Sequence, residues 1–339
     1  MTEQTQLAWD IIETTNINLF LTGKAGTGKT TFLRRLKEES SKRIVVVAPT
    51  GIAAINAEGV TIHSFFQLSF APFIPNYNLK EQQFRFSKQK INVIRSIDTL
   101  VIDEISMVRA DLLDAVDSVL RRFRKNNLPF GGVQMVMIGD LGQLAPVAKD
   151  DEWQMLSRYY ATPYFFSSLA LQRTRYAIVE LTKVYRQSDK RFLDILNKVR
   201  ENRADAAVLS ALNSRYIPNF KPRKEDGYIR LTTHNWQAQR INDHELELLS
   251  GKPYTYTATI EGKYPEMLFP TDETLTLKTG AQVMFVKNDS SADKAYYNGM
   301  IGTIAAIDAE GFTVTAKIYV CSPSSGTTRA TCSTRRPTR

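Results

Sequence analysis

The sequence predicts an α/β protein whose first half is a parallel β-sheet covered on both faces, and two features of the chain point there. Short, β-branched-rich runs recur at residues 18–22, 43–48, 99–102 and 134–138, apolar through their interiors. Stretches of helical periodicity separate them, and each run ends in glycine or polar residues: Gly23, then Pro49-Thr50-Gly51, Asp103-Glu104 and Gly139-Asp140. A sheet with one wet face would alternate apolar and polar residues, which these runs do not. Ligands of such sheets sit at the carboxyl ends of the strands, so those terminal residues are the first place to look for chemistry.

Residues 6–13 read as a short amphipathic helix before the first strand. The octet Gly23-Lys24-Ala25-Gly26-Thr27-Gly28-Lys29-Thr30 then fits G-x-x-x-x-G-K-[ST], between that strand and a helix over 31–39. Glycines let backbone N–H groups turn inward around phosphate oxygens, and the helix N-terminus adds its partial positive charge. Lys29 reaches the β- and γ-phosphates and the Thr30 hydroxyl ligates Mg²⁺. With Thr31 the octet forms a nucleotide site whose cofactors are ATP and Mg²⁺, and the fold becomes a P-loop NTPase. Hydrolysis also needs a carboxylate near the metal and a group that activates water. The third strand ends in both: Asp103 for Mg²⁺ and Glu104 as candidate general base. Gln143, just beyond the fourth strand, is placed to contact the γ-phosphate or the attacking water.

Composition bounds the rest. The chain has 339 residues, 43% hydrophobic and 23% charged, which excludes disordered and collagen-like classes. No apolar run approaches the ~20 residues of a membrane span, and the start lacks the basic and apolar regions of a signal peptide. No membrane association and a cytoplasmic location are therefore expected. Cys321 and Cys332 form no disulfide framework and no zinc site. A net charge of +9 favours a polyanionic partner such as nucleic acid. None of the histidines, His63, His234 and His244, has the partner spacing of a nucleophilic triad. His63 lies in Thr61-Ile62-His63-Ser64-Phe65-Phe66, where aromatics beside a hydroxyl and an imidazole suit contact with a single strand, while Phe65 and Phe66 suit a core equally well. Trp9, Trp153 and Trp236 read as packing residues. Lys24 and the cluster from Arg121 to Lys125 read as solvated charge when taken alone.

Between 66 and 90 the periodicity lapses into Pro72, Pro75, aromatics and a basic, Gln-rich stretch, an insertion in a first lobe spanning 1–174. Strand-like runs return over 173–184 and 227–319, giving a second lobe over 175–320. Residues 321–339 carry four arginines and no acid, and without them the formal charge falls to +5. The alternation of residues 311–320 stops there, which predicts a disordered basic tail or an aberrant, frame-shifted end of a C-terminally truncated chain.

These residues together resemble the Pif1-type helicases of superfamily 1, over about residues 2–319. Glu3-Gln4 resembles the adenine-reading motif, giving Gln4 that role. The octet matches motif I, Pro49 to Ala54 with Thr61 to Phe65 matches motif Ia and its sequel, and Asp103-Glu104-Ile105-Ser106-Met107 matches motif II. The most specific similarity runs from Asp114 to Pro146, through Arg121-Arg122-Phe123-Arg124 and Leu128-Pro129-Phe130-Gly131-Gly132 into Gly139-Asp140-Leu141-Gly142-Gln143. Val184-Tyr185-Arg186-Gln187 resembles motif IV, whose arginine, Arg186 here, reaches the γ-phosphate from the second lobe. The segments 278–289 and 297–302 resemble part of the second motor lobe.

The resemblance implies a RecA-like first lobe, an incomplete second RecA-like lobe, and ATP-driven 5′-to-3′ movement on single-stranded DNA that unwinds duplex. It also implies Pro49, Thr50, Gly51, His63, Ser64, Phe65, Thr233 and His234 as strand contacts, and fork or quadruplex DNA as partners of a monomer. Roles in DNA repair, recombination and telomere maintenance follow by the same likeness. The family's Lys-Ser-Gln-Gly motif and its final arginine motif do not occur in the sequence. The alternative expectation is a nucleotide-gated single-strand-binding remnant without motor activity.

Overall fold

Both faces of the first sheet need cover because successive residues of each apolar run point to opposite sides. In the computed structural model, which describes residues 2–75, 86–185, 189–223, 228–258, 271–286, 289, 295–296, 299–308, 311–317 and 327–333, that requirement is met. Phe20, Leu100, Ile102, Met135 and Met137 enter one buried cluster, and their strand neighbours Leu19, Leu21, Val101, Val136 and Ile138 enter another.

The chain runs α1 (Glu3–Thr14), β1 (Asn18–Gly23), α2 (Lys29–Glu39), β2 (Ile44–Ala48), α3 (Gly51–Asn56), β3 (Val60–Thr61), α4 (Ile62–Phe66) and α5 (Lys88–Ser96). It continues through β4 (Thr99–Ile102), α6 (Ala110–Arg124), β5 (Gln134–Gly139), α7 (Asp150–Leu156), α8 (Leu169–Gln172), β6 (Tyr176–Leu181), α9 (Lys190–Arg200) and α10 (Ala206–Asn213). The six strands pair in parallel in the order β3-β2-β4-β5-β1-β6. From β1 the chain goes to β2 on one side, and β6 later adds on the other, so the carboxyl end of β1 lies where the winding reverses. Α1 and α2 bring Ala8, Ile12, Phe32, Leu33 and Leu36 to one face, while α4, α5 and α6 cover the other with Phe66, Ile94, Leu113, Val116 and Leu120.

The charged α6 is anchored from within. Asp114 accepts the Ser168 hydroxyl at 2.5 Å, the Tyr160 hydroxyl at 2.9 Å and the amides of Leu169 and Ala170 at 3.0 and 2.9 Å. Asp117 accepts the Phe130 amide at 2.5 Å. Arg124 donates to the carbonyls of Gly131, Ile94, Arg95 and Ile97. The expectation that the cluster from Arg121 to Lys125 is solvated charge is thus corrected at Arg124, whose guanidinium finds four carbonyls left open by neighbouring turns.

The chain divides into two compact units, 1–216 and 217–339. This moves the boundary expected at 174/175, because β6 bonds to β1 along its whole length, from Asn18↔Tyr176 to Gly23↔Leu181, and closes the first sheet. The second unit contains α11 (Asn235–Glu247), β7 (Tyr254–Thr257), β8 (Thr274–Leu277), β9 (Gln282–Met284), β10 (Ile301–Ile307), β11 (Gly311–Lys317) and β12 (Thr327–Ser333). Its described strands all pair antiparallel, β7 with β8 and the remainder in the order β12-β11-β10-β9. Leu277, Ala281, Ile304 and Val314 form its buried centre.

Within the segment expected to be an aberrant or disordered basic tail, residues 327–333 form β12 and pair with β11 from Gly311↔Ser333 to Lys317↔Thr327. The threonines of that stretch are β-branched and suit a pleated ladder, a preference hidden by the overall Ser/Arg/Pro composition. Of the expected insertion at 66–90, α4 ends at Phe66, α5 begins at Lys88, and 76–85 lie outside the described residues. Trp9 and Trp153 pack against buried clusters as expected, but Trp236 is 60% exposed. No described helix is long and apolar enough to cross a membrane.

Candidate nucleotide and nucleic-acid site

Strand register sets the site. Thr22 on β1 pairs with Gly139 on β5, and Met137 on β5 pairs with Ile102 on β4, so the loops after three adjacent strands open at one edge of the sheet. The first is the octet. Gly26 and Gly28 adopt φ of 79° and 93°, left-handed values that side chains rarely take, and Gly28 is the N-cap of α2 with no side chain capping the helix. The first-turn amides of α2 are thereby left for an anion. Thr27, buried, closes the loop by donating its hydroxyl to the Lys24 carbonyl at 2.9 Å.

Lys29 donates to the Gly23 carbonyl at 2.6 Å and the Lys24 carbonyl at 3.2 Å. Burial lowers its pKa, and the charges of Asp140, Glu104 and Asp103 oppose that shift. Asp103 is pushed up to about 6, first by burial and also by the Glu104 charge, against the Glu104 amide and Lys29. Its carboxylate accepts that amide at 3.0 Å. Glu104 itself sits at φ 51°, a strained value for a non-glycine residue and a feature often kept at reactive sites. The donor set of a half-buried, poorly compensated carboxylate on Asp103 and an exposed hydroxyl on Thr30 suits a hard, oxygen-seeking divalent cation that keeps part of its water shell.

The third loop is built on Asp140. Its Oδ1 accepts the Gly142 amide at 3.0 Å, its Oδ2 accepts the Gln143 side-chain amide at 3.0 Å, and the same Oδ2 pairs with Arg200 Nη1 at 2.5 Å. Gln143 is otherwise exposed. Arg200 ends α9, and the next residue, Glu201, pairs with Lys24 of the phosphate loop at 3.3 Å. Lys24 is therefore held by a partner, a correction to the reading of it as solvated charge.

The segment after β6 reaches the loop too, because the Tyr185 amide donates to the Gly26 carbonyl at 2.8 Å. Arg186 lies outside the described residues. Gln4 falls in the first turn of α1, and Ala25 and Thr31 are exposed on the loop and α2. Asp140 and Arg200 were absent from the sequence-derived site. The Gly-Asp pair at the end of β5 was a visible signal for the first, whereas nothing local marks Arg200, 60 residues from its partner.

The expected strand contacts divide. Pro49 follows β2, and Thr50, exposed, caps α3 by accepting the Ala53 amide at 3.2 Å just before Gly51. Ser64 is exposed on α4. His63 stacks on Phe70 with ring centroids 4.3 Å apart, and burial followed by the Arg109 charge pushes its pKa below the usual imidazole range. Both influences favour the neutral ring over the cation. Phe65 is 6% exposed and its ring lies under Lys90 Nζ at 3.5 Å, so it belongs to the core and offers no face to a base. Phe66 is fully buried. The exposed aromatic on this surface is Phe70, which the sequence reading did not single out. Thr233 and His234 lie in the second unit, exposed, with Thr233 Oγ1 and His234 Nδ1 2.8 Å apart at the start of α11.

Comparison with known proteins agrees with this geometry. The family model of the PIF1-like helicases matches residues 2–208. The chain is 37% identical to the ATP-dependent DNA helicase Pif1 of Psychrobacter over 88% of its own length and 45% of that protein. It is 35% identical to the human ATP-dependent DNA helicase PIF1, over 90% and 46% respectively. It thus spans about half the length of these curated relatives. Among solved structures, Bacteroides Pif1 bound to single-stranded DNA superposes with a TM-score of 0.81 at 41% identity, covering 97% of this chain and 73% of that one. The Bacteroides complex with ADP-AlF3 and single-stranded DNA gives 0.81 at 40% identity, with the same coverage. On these matches and on the loop geometry, the chain belongs to the PIF1-like helicase family.

Proposed function

We propose that this chain carries the motor core of an ATP-dependent DNA helicase that moves 5′ to 3′ along single-stranded DNA. The carrying observation is the convergence of Lys29, the Asp103–Glu104 pair and the Asp140–Gln143 loop at the ends of three adjacent strands. The amides of the octet and α2 cradle the phosphates, and Lys29 leaves its loop carbonyls for the β- and γ-oxygens. Thr30 and Asp103 would hold Mg²⁺, which supplies charge neutralisation at the leaving phosphate. Glu104 accepts a proton from the attacking water, and Gln143 orients that water or the γ-phosphate. Arg186, in the segment that follows the loop-bound Tyr185, completes the charge stabilisation.

In this reading Thr50, Gly51, Ser64, His63 and Phe70 are the strand contacts of the first unit, and Thr233 and His234 are separate candidates on the second. Single-stranded DNA is the primary partner, with forks and quadruplexes as larger substrates, for a chain that is a cytoplasmic monomer when free. Relatives support the substrate class: one solved complex concerns unwinding at forked double-stranded DNA by two coordinating Pif1 helicases.

ATP hydrolysis by the purified chain, with and without excess single-stranded DNA, is the test. Strong stimulation that disappears in Lys29→Ala is expected. Nucleotide binding without stimulation would instead assign the chain the binding role alone. Affinity for single strands should fall with salt at a slope near −0.7 per neutralised phosphate.

A further inference from the structure

The Asp140 carboxylate is 1% exposed on its side chain, yet one of its oxygens, Oδ2, receives two donors: the Gln143 amide at 3.0 Å and Arg200 Nη1 at 2.5 Å. A buried carboxylate that loses a donor is costly unless a charge partner remains. We propose that Arg200 is a positioning residue for Gln143, keeping Asp140 compensated so that the Gln143 amide can leave it for the terminal phosphate of a nucleoside triphosphate. This deepens the proposed function and rests on the placing of Gln143 in the nucleotide site.

Two further contacts favour the assignment over a chance surface pair. The guanidinium lies flat against Gly142, where an added Cβ would fall 2.6 Å from Nη1 and 2.7 Å from Cζ. A side chain at position 142 would therefore displace the Arg200 guanidinium, while the backbone there makes no demand for glycine. The neighbouring Glu201 also binds Lys24 of the phosphate loop at 3.3 Å, so the end of α9 touches both nucleotide loops. Since α9 begins at Lys190, soon after Arg186, the helix that carries Arg200 also follows the arginine expected at the γ-phosphate. Without Arg200, the remaining donors of Asp140 are Gln143 and the Gly142 amide, and Gln143 is held back.

The test compares binding of fluorescent ADP with that of a fluorescent non-hydrolysable ATP analogue to the full chain, together with kcat and KM for single-strand-stimulated ATP turnover. Arg200→Ala should narrow the preference for the triphosphate by about fivefold or more, a typical coupling between sites, while ADP affinity is unchanged, and should lower kcat more than it changes KM. Gly142→Ala should do the same with the charge still present, because only the end of a flexible side chain has to move. Arg200→Lys should restore part of the loss. Unchanged preference in both Arg200→Ala and Gly142→Ala overturns the inference and leaves the proposed function standing. A wild-type chain that binds no nucleotide overturns both. A chain that binds without turning over still decides the inference through the affinity ratio.

Discussion

Helix α6 and the open ends of β1, β4 and β5 are built from the same residue types and use them in opposite ways. On α6, Asp114 is saturated by four hydrogen bonds and Arg124 by four carbonyls. At the strand ends, Asp103 accepts its neighbour's amide and sits well above its ordinary value of 3.8, and Lys29 rests on two carbonyls of its own loop. A saturated buried charge fixes a fold, and an under-compensated one is held ready for a ligand. Asp114 is buried whereas Asp103 and Lys29 are half-buried, and the two sets differ further in how many partners the chain itself supplies.

The comparison is sharpened by substitutions on each side. Glu104→Gln should lower DNA-stimulated ATP turnover by about 10²- to 10⁴-fold, the usual contribution of a general base, with ATP binding and melting temperature little changed. On α6 the effect should be thermodynamic: Asp114→Ala leaves the Ser168 and Tyr160 hydroxyls and two amides without their acceptor, and should cost about 3–5 kcal/mol in denaturant unfolding. A loss below about 1 kcal/mol would show that α6 is not what those bonds hold.

Asp103→Asn should act with the opposite sign and stabilise the metal-free chain at neutral pH by on the order of 1–2 kcal/mol. A carboxyl raised to about 6 from 3.8 carries its burial cost above pH 6 and is relieved as the pH falls through that value. The gain should therefore shrink toward pH 4 in thermal melts, and Mg²⁺ should reverse it by favouring the wild type.

The smallest effect belongs to the exposed rim. Arg43 holds Asp98 at about 2 by a side-chain hydrogen bond, so their pairing stabilises above the ordinary value of 3.8 and fades as the pH drops toward 2. Exposure and solvent screening keep the contribution small. Arg43→Ala should lower the melting temperature slightly at pH 7 and not at pH 2.

The phosphate loop, the strands β1, β2, β4 and β5 and the acids at their ends were legible because their signals are local: unbroken apolar runs, fixed spacing, a glycine where the chain turns. Phe65 was ambiguous for the same reason that Trp236 was misread: an aromatic residue looks alike in sequence whether a lid covers it or not. The place of β6 in the first sheet was illegible, since an apolar run states that it will pair but not with which strand. Composition by itself also hid β12, whose threonines pair with β11.

The sequence by itself determined that this chain has a nucleotide loop on a parallel sheet, and its spacing of glycine, lysine and carboxylates fixed the chemistry available there. Only the tertiary structure decided which acids face Lys29, which aromatic remains exposed on the proposed strand surface, and that Arg200 closes on Asp140 from α9. Those outcomes depend on register and packing between residues tens of positions apart, and partner choice at that range is settled by which faces meet when the core is buried.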